Sequence, residues 1–164
     1  MSPAPPRRSP RLRRWTTLSL AALVVAADQL SKLWAAGHLP EGVARPLLPG
    51  LLQLRRVANT GAAFSLFTGA PTLLALVSAA VSAFLIGWVV LRPPAGGWRA
   101  AGLALLLGGA AGNGIDRWRL GWVLDFLEFV PIRFPVFNLA DVAINAAVVC
   151  LAIDLLRPAL RRDG

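Results

Sequence analysis

Four long apolar runs, parted by two large polar loops and one short turn, set the plan of this chain. The first extends from Trp15 to about Ala36, long enough to cross a hydrocarbon core of about 30 Å. The second opens at Pro71, a residue suited to the first helical position, and continues without a charge to Leu91. Arg92-Pro93-Pro94-Ala95-Gly96-Gly97 reads as a turn. The third run, from about Trp98 to Ile115, is rich in Gly and Ala. Its Gly108 and Gly112 are spaced so that a neighbouring membrane helix can approach closely. The fourth runs from Leu139 to Leu156. The pattern predicts an all-α membrane protein with four transmembrane helices. Residues 1–14, basic and proline-rich, form a disordered tail in this reading, residues 15–157 the membrane domain, and residues 158–164 a second basic tail. The loops at 37–70 and 116–138 share one face. Within the first, the mixed stretch Leu51 to Val57 predicts a strand.

Composition supports this plan. Hydrophobic residues make up 56% of the 164, and the formal net charge is +9. Ten arginines flank the spans on the face holding both termini: Arg7, Arg8, Arg11, Arg13, Arg14, Arg92, Arg99, Arg157, Arg161 and Arg162. Six lie in the two loops, Arg45, Arg55, Arg56, Arg117, Arg119 and Arg133. The denser face is cytoplasmic by the positive-inside rule. Basic residues that flank apolar spans argue for membrane orientation, and no nucleic-acid partner is expected. Ala35-Ala36-Gly37 resembles a signal-peptide cleavage site, but Asp28 and Lys32 do not suit a signal-peptide core. Cys150 and His38 are the only residues of their kinds, so His-Glu-x-x-His spacing and Cys/His clusters are absent. No metal or other cofactor is expected.

The acids carry the chemistry. Asp28, Glu41, Asp116, Asp125, Glu128 and Asp141 gather toward the outer face, and ionisable groups inside a membrane are functional candidates. Asp125 and Asp141 each sit where a polar loop meets an apolar segment. Two adjacent carboxyl groups cannot both ionise cheaply, so one keeps a proton while the other acts as base. The base can activate a water against a peptide carbonyl, and the acid can stabilise the developing oxyanion. Asp141 equally suits helix capping, three residues after Asn138; a helix N-terminus also makes it the more readily ionised partner. The apolar neighbours of Asp125 suit a half-buried strand. Asp28 and Lys32 share a helix face and form an internal ion pair. A Ser31-Lys32 dyad fails on geometry, His38 reads as a loop residue, and Asn145 as a bond between helices. Asn59 and Gly61 supply a turn able to hold extended substrate. Asn113 and Arg117 share a face beside Asp116, which suits an interfacial ion pair.

Taken in order, Asp28-Gln29-Leu30-Ser31-Lys32, Asn59-Thr60-Gly61-Ala62-Ala63-Phe64-Ser65, Gly112-Asn113-Gly114-Ile115-Asp116-Arg117, Val123-Leu124-Asp125-Phe126 and Phe137-Asn138-Leu139-Ala140-Asp141 resemble the lipoprotein signal peptidase (signal peptidase II) family. The resemblance implies an intramembrane aspartyl protease that cleaves diacylglyceryl-modified prolipoproteins before the lipidated cysteine. It makes Asp125 and Asp141 the catalytic pair. Asp28, Lys32, Asn59, Gly61, Asn113, Asp116, Arg117, Asn138 and Ala140 become pocket or substrate-contacting residues. It further implies a small β-rich cradle and an amphipathic segment on the outer face, drawn from residues 40–66 and 117–137. The expected partners are prolipoproteins and membrane lipids, acting on a monomer in the bacterial cytoplasmic membrane, with inhibition by globomycin. Two other readings stand against it. An ion-coupled transporter calls for acids spread through the membrane depth and paired halves; a non-catalytic scaffold would use the carboxylates only as caps.

Overall fold

Ser9 starts the first helix, its hydroxyl accepting the backbone N–H of Leu12 at 3.3 Å, with proline at the first helical position. In the computed structural model, which describes residues 9–61 and 69–160, this helix, α1, runs Pro10–His38. It therefore takes in residues 10–14, expected in the tail, because cap and proline lie ahead of the arginines. The remainder of that tail and the end of the C-terminal one fall outside the described residues. His38 is the last residue of α1 rather than a loop residue. Its Nδ1 bonds Trp34 O at 2.9 Å, and the two rings stack.

Two strands follow, β1 (Arg45–Leu48) and β2 (Leu52–Asn59), turned about Gly50 at φ 75°. Then come α2 (Pro71–Leu91), α3 (Gly97–Leu120), β3 (Val123–Phe129) and α4 (Leu139–Leu160). The expected strand at 51–57 thus extends to Asn59 and joins an antiparallel sheet of order β1-β2-β3. Residues 62–68, which include Ala62-Ala63-Phe64-Ser65, lie outside the described residues. Among the described residues, the two long connections between helices are built of strands and turns.

α3 continues past the expected end at Ile115, so Asp116 and Arg117 are helical rather than in a loop. Gly121, at φ 79°, stops it, its N–H reaching Arg117 O at 3.1 Å. Among the described residues, three helices are long and apolar enough to cross a membrane: α1, α2 and residues 139–157 of α4. They turn large apolar side chains outward, among them Leu23, Leu30, Phe84, Leu91, Val148 and Leu155. α3 is less apolar because it lies between the others, packed on α1, α2 and α4. Its glycines permit that contact: a Cβ at Gly109 would fall 2.5 Å from Ala140 O, and one at Gly112 2.6 Å from Asp28 Oδ2.

The polarity is inverted relative to a soluble protein. Asp28, Lys32, Asn113, Asp116, Asp125 and Asn138 are buried inside the bundle. Beneath the sheet, Ala35, Leu39, Leu124 and Phe126 form an apolar cluster that seats β3 on α1.

Candidate active site

β3 and the N-terminus of α4 bring Asp125 and Asp141 to one cavity. Val123 to Phe126 are buried in succession, so Asp125, though on a strand, is enclosed, with 1% exposure. It faces Val57 across the β2–β3 ladder, next to an irregularity between Leu54 and Val57. Asn59 ends β2 and donates from Nδ2 to Asp125 Oδ2 at 2.9 Å; its Oδ1 accepts the N–H of Gly61 at 3.0 Å. That closed turn explains why an Asn-x-Gly sequence stands there.

Asn138 precedes α4 and caps it as expected. Its Oδ1 accepts the N–H of Asp141 at 3.0 Å, and its own N–H donates back to Asp141 Oδ2 at 3.2 Å. The capping reading of Asp141 is therefore correct, and compatible with the other. Asn138 Nδ2 also reaches Asp125 Oδ1 at 2.6 Å, so one buried amide side chain joins both acids. Asn113, on α3, donates from Nδ2 to Asp141 Oδ1 at 2.8 Å, while its Oδ1 accepts from Asn138 Nδ2 at 3.0 Å. Asn59 thus serves Asp125, Asn113 serves Asp141, and Asn138 alone touches both residues.

Burial foremost, and the negative charge of Asp141 next, push the Asp125 carboxyl up to about 7. The donors from Asn59 and Asn138 and the charge of Lys32 oppose this shift without cancelling it.

The cavity measures about 960 Å³. Its polar wall holds Asn59, Ser78, Asn113, Arg117, Asp125 and Asp141; its apolar wall includes Val77, Val81, Leu106, Val142 and Val149, with Phe129, Phe134 and Phe137 at one end. The three phenylalanines pack ring to ring with centroids 5.1–5.8 Å apart. Arg117 does not pair with Asp116; its guanidinium donates to Gly61 O at 3.2 Å and to Ser78 Oγ at 3.5 Å. It ties the first outer loop to α3 and α2.

Asp116 instead joins a cluster behind the cavity. Lys32 Nζ lies 2.9 Å from Asp28 Oδ2, 2.9 Å from Asp116 Oδ2 and 3.0 Å from Asn113 Oδ1. The expected Asp28–Lys32 pair is present and extended by a third member. Asp28 also accepts the N–H of Ala140 at 3.0 Å, and Asp116 that of Leu124 at 3.1 Å. Ala140, fully buried, contributes that N–H and a methyl small enough for α3 to pass. Asn145, expected to bond another helix, instead donates to Asp141 O within α4 at 2.9 Å. Among the described residues no group of three or more His, Cys, Asp or Glu side chains is placed to hold a metal ion.

The family described as Signal peptidase (SPase) II matches residues 20–157. The chain belongs to the signal peptidase II family. The lipoprotein signal peptidase of Parasynechococcus marenigrum (strain WH8102) is 54% identical over 144 residues, covering 88% of this chain and 91% of the relative. That of Synechococcus sp. (strain RCC307) is 53% identical, covering 88% and 96%. A bacterial membrane enzyme solved by the in meso method superposes with a TM-score of 0.81 at 28% identity, over 88% of this chain and 89% of the other.

Two polar residues of this signal peptidase II chain escaped the sequence reading. Gln29 donates from Nε2 to Gly112 O at 3.2 Å and Asp116 Oδ1 at 3.0 Å, joining α1 to α3. Ser78 meets Arg117 and packs on Gly114. Ser78 and Ser82, one turn apart in an otherwise apolar span, were the available signal for a face turned to another helix.

Proposed function

We propose that this chain removes the signal peptide from diacylglyceryl-modified prolipoproteins, cutting before the lipidated cysteine, with Asp125 and Asp141 as the catalytic pair. One observation carries the reading: both carboxyl groups open on the same cavity, and the amide groups bonded to their oxygens are donors. Asp125, with its carboxyl held up to about 7, is the acid. Asp141, at a helix N-terminus with donors from Asn113 and the Asn138 backbone, is the base. The base takes a proton from a water as its oxygen attacks the scissile carbonyl. The acid donates its proton to the carbonyl oxygen; the proton taken from water then passes from Asp141 to the amine nitrogen as the C–N bond breaks, and the re-forming carbonyl returns the other to Asp125. Arg117, Gly61 and Asn59 hold the substrate backbone at the polar wall. The two acyl chains lie along the apolar wall and extend into lipid.

The membrane arrangement follows from the same chemistry. α3 is the fourth crossing: 24 residues at about 1.5 Å each span about 36 Å. Both termini face the cytoplasm of a bacterial cytoplasmic membrane, where arginines are densest. The cavity then lies near the outer surface, where water is at hand. The enzyme acts as a monomer, and no cofactor takes part.

The test is cleavage of a diacylglyceryl-modified precursor by the purified full chain in detergent. Cleavage before the lipidated cysteine, blocked by globomycin and abolished separately by Asp125→Asn and Asp141→Asn, is the expected result. Retained cleavage in either folded variant overturns the assignment of the pair. Ion flux in proteoliposomes without cleavage would favour a transporter.

A further inference from the structure

A side-chain amide has a donor end and an acceptor end of nearly the same shape. Whichever end faces a carboxyl group favours its ionised or its protonated form. The three amides around the two aspartates have this choice made for them. Asn59 and Asn138 each have Oδ1 occupied by a backbone N–H, from Gly61 and Asp141, both at 3.0 Å. Their Nδ2 groups are thereby turned to Asp125. Asn113 has no such backbone partner. Its Oδ1 meets the ammonium of Lys32 at 3.0 Å and also accepts from Asn138 Nδ2 at 3.0 Å.

An ammonium carries three hydrogens and no acceptor. Here the hydrogens are directed to Asp28, Asp116 and Asn113. Only the oxygen of Asn113 can face Lys32, which leaves its Nδ2 to donate to Asp141 Oδ1 at 2.8 Å. Lys32 is itself 4% exposed and does not line the cavity of the two aspartates.

We propose that Lys32 is a positioning residue: together with Asn138 Nδ2 it fixes the orientation of Asn113 as a donor to Asp141, and so directs the proton shared by the pair to Asp125. The inference rests on the reading of Asp125 and Asp141 as a pair sharing one proton. The two acids holding the ammonium also grip the backbone beside that pair. Asp28 accepts the N–H of Ala140, one residue before Asp141, and Asp116 that of Leu124, one residue before Asp125. The cation that sets the amide is thus in register with both segments that carry the reacting groups. The charged side chains near the pair are Lys32 and Asp28 from α1 and Asp116 and Arg117 from α3. Arg117 is directed to Gly61 and Ser78, so Lys32 is the one charged group among these that bonds Asn113. The raised carboxyl of Asp125 agrees in direction.

The test compares wild type, Lys32→Arg and the double variant Lys32→Met/Asp116→Asn, which removes the ammonium while keeping the net charge of the cluster. Two readouts are taken on each: the infrared titration of the protonated-carboxyl band that Asp125→Asn abolishes, and the pH profile of kcat and KM. Without the ammonium, only the donor from Asn138 Nδ2 opposes a turn of the Asn113 oxygen toward Asp141. The shared proton then passes in part to Asp141, so the Asp125 band loses intensity, while both limbs of the kcat profile move up by about one pH unit, with KM within about twofold of wild type. Arginine, also a pure donor, keeps the wild-type positions even where the rate falls. Asn113→Leu, which leaves Lys32 and its acids untouched, weakens the band and moves the limbs the same way and covers failure of the double variant to fold. An unchanged band and unmoved limbs in Asn113→Leu or in the folded double variant overturn the inference, as does an equal change in Lys32→Arg. A weakened infrared band without cleavage in any variant, wild type included, upholds it while refuting the catalytic reading.

Discussion

Asp28 and Asp116 on one side of Asn113, and Asp125 and Asp141 on the other, are two pairs of acids held in opposite ways. The first pair closes on a cation, each acid 2.9 Å from Lys32 Nζ, and each also accepts a backbone N–H and a bond from Gln29. The second pair closes on amides, which donate hydrogen bonds but neutralise no charge. A cation fixes a carboxylate pair in its ionised form and makes it a strut. Amides alone leave the pair with a charge that only a proton relieves, and a retained proton is what acid–base chemistry uses. Residue type is the same in both places, and three of the four acids are buried; the partner decides between strut and site.

The largest expected effect separates the pairs by activity. Asparagine in place of Asp125 or Asp141 keeps the shape and most hydrogen bonds, yet lowers kcat by at least about 10³-fold, because general acid–base transfer supplies gains of roughly 10² to 10⁴. Turnover of a lipidated precursor checks this, with thermal unfolding showing that the protein is still folded. Alanine in place of Asp28 reverses the balance. It leaves Lys32 with one acid and Ala140 N–H with none, and removing one partner of a buried pair costs about 3–5 kcal/mol. A large fall in unfolding midpoint is the expected measurement. An unchanged midpoint would mean that the lysine-centred cluster is no strut.

The pairs also differ in their response to pH. The unfolded chain releases the Asp125 proton near the ordinary value of 3.8, and the folded form keeps it to about 7. Between those values the folded state binds more protons, so stability falls as pH rises through the window and levels off above it. Asp125→Asn removes that slope, readable as a flattened dependence of the unfolding midpoint from about pH 4 to about pH 7. Cleavage requires the same proton, so in the wild type kcat falls as pH rises past about 7.

How much of this contrast the sequence carried depends on distance along the chain. The i, i+4 spacing of Asp28 and Lys32 announces their ion pair, and Asn138-x-x-Asp141 announces a cap, because both are local. Neither spacing announces Asp116 as the second acid on Lys32. Asp116 read as a loop residue beside Arg117, since the end of α3 is set by Gly121 in a left-handed turn rather than by loss of apolar residues. The sheet was half legible: Leu51 to Val57 showed one strand, while its pairing with Val123–Phe129 is long-range and depends on the apolar cluster over Ala35 and Leu39. α3 was legible as a long helix with close contacts through its glycines. Its partners were not, because one small-residue face serves both α1 and α4.

That shared face gives a smaller and sharper test. An alanine at Gly109 would place its methyl 2.5 Å from Ala140 O, which is backbone and cannot rotate away. α4 must move at the turn carrying Asp141, while the lysine-centred cluster stays nearly as it is. Overpacking of this kind costs about 1–3 kcal/mol, yet the loss of kcat exceeds the share that instability explains, because Asp141 is displaced. An alanine at Gly112 lands 2.6 Å from Asp28 Oδ2 and strains the strut instead. Measured together, Gly109→Ala loses more activity per degree of unfolding midpoint than Gly112→Ala; the reverse order would break the division between the two pairs.

The smallest effect belongs to an ion pair that resembles the cluster only by composition. Arg55 and Glu128 meet at 2.8 Å across β2 and β3, with Arg55 38% exposed. Water screens that guanidinium, and Glu128 keeps a second partner in Gln53 at 2.6 Å. Exposed pairs contribute under about 1 kcal/mol, so Arg55→Ala leaves the unfolding midpoint nearly in place and the kcat profile superposed on wild type. The strand pairing that carries Asp125 is set by the backbone ladder and the buried cluster below it, not by charge on the sheet's outer surface. A shifted limb in Arg55→Ala would instead show that the sheet's surface charges reach Asp125. The amides would then no longer account by themselves for the difference between the two pairs.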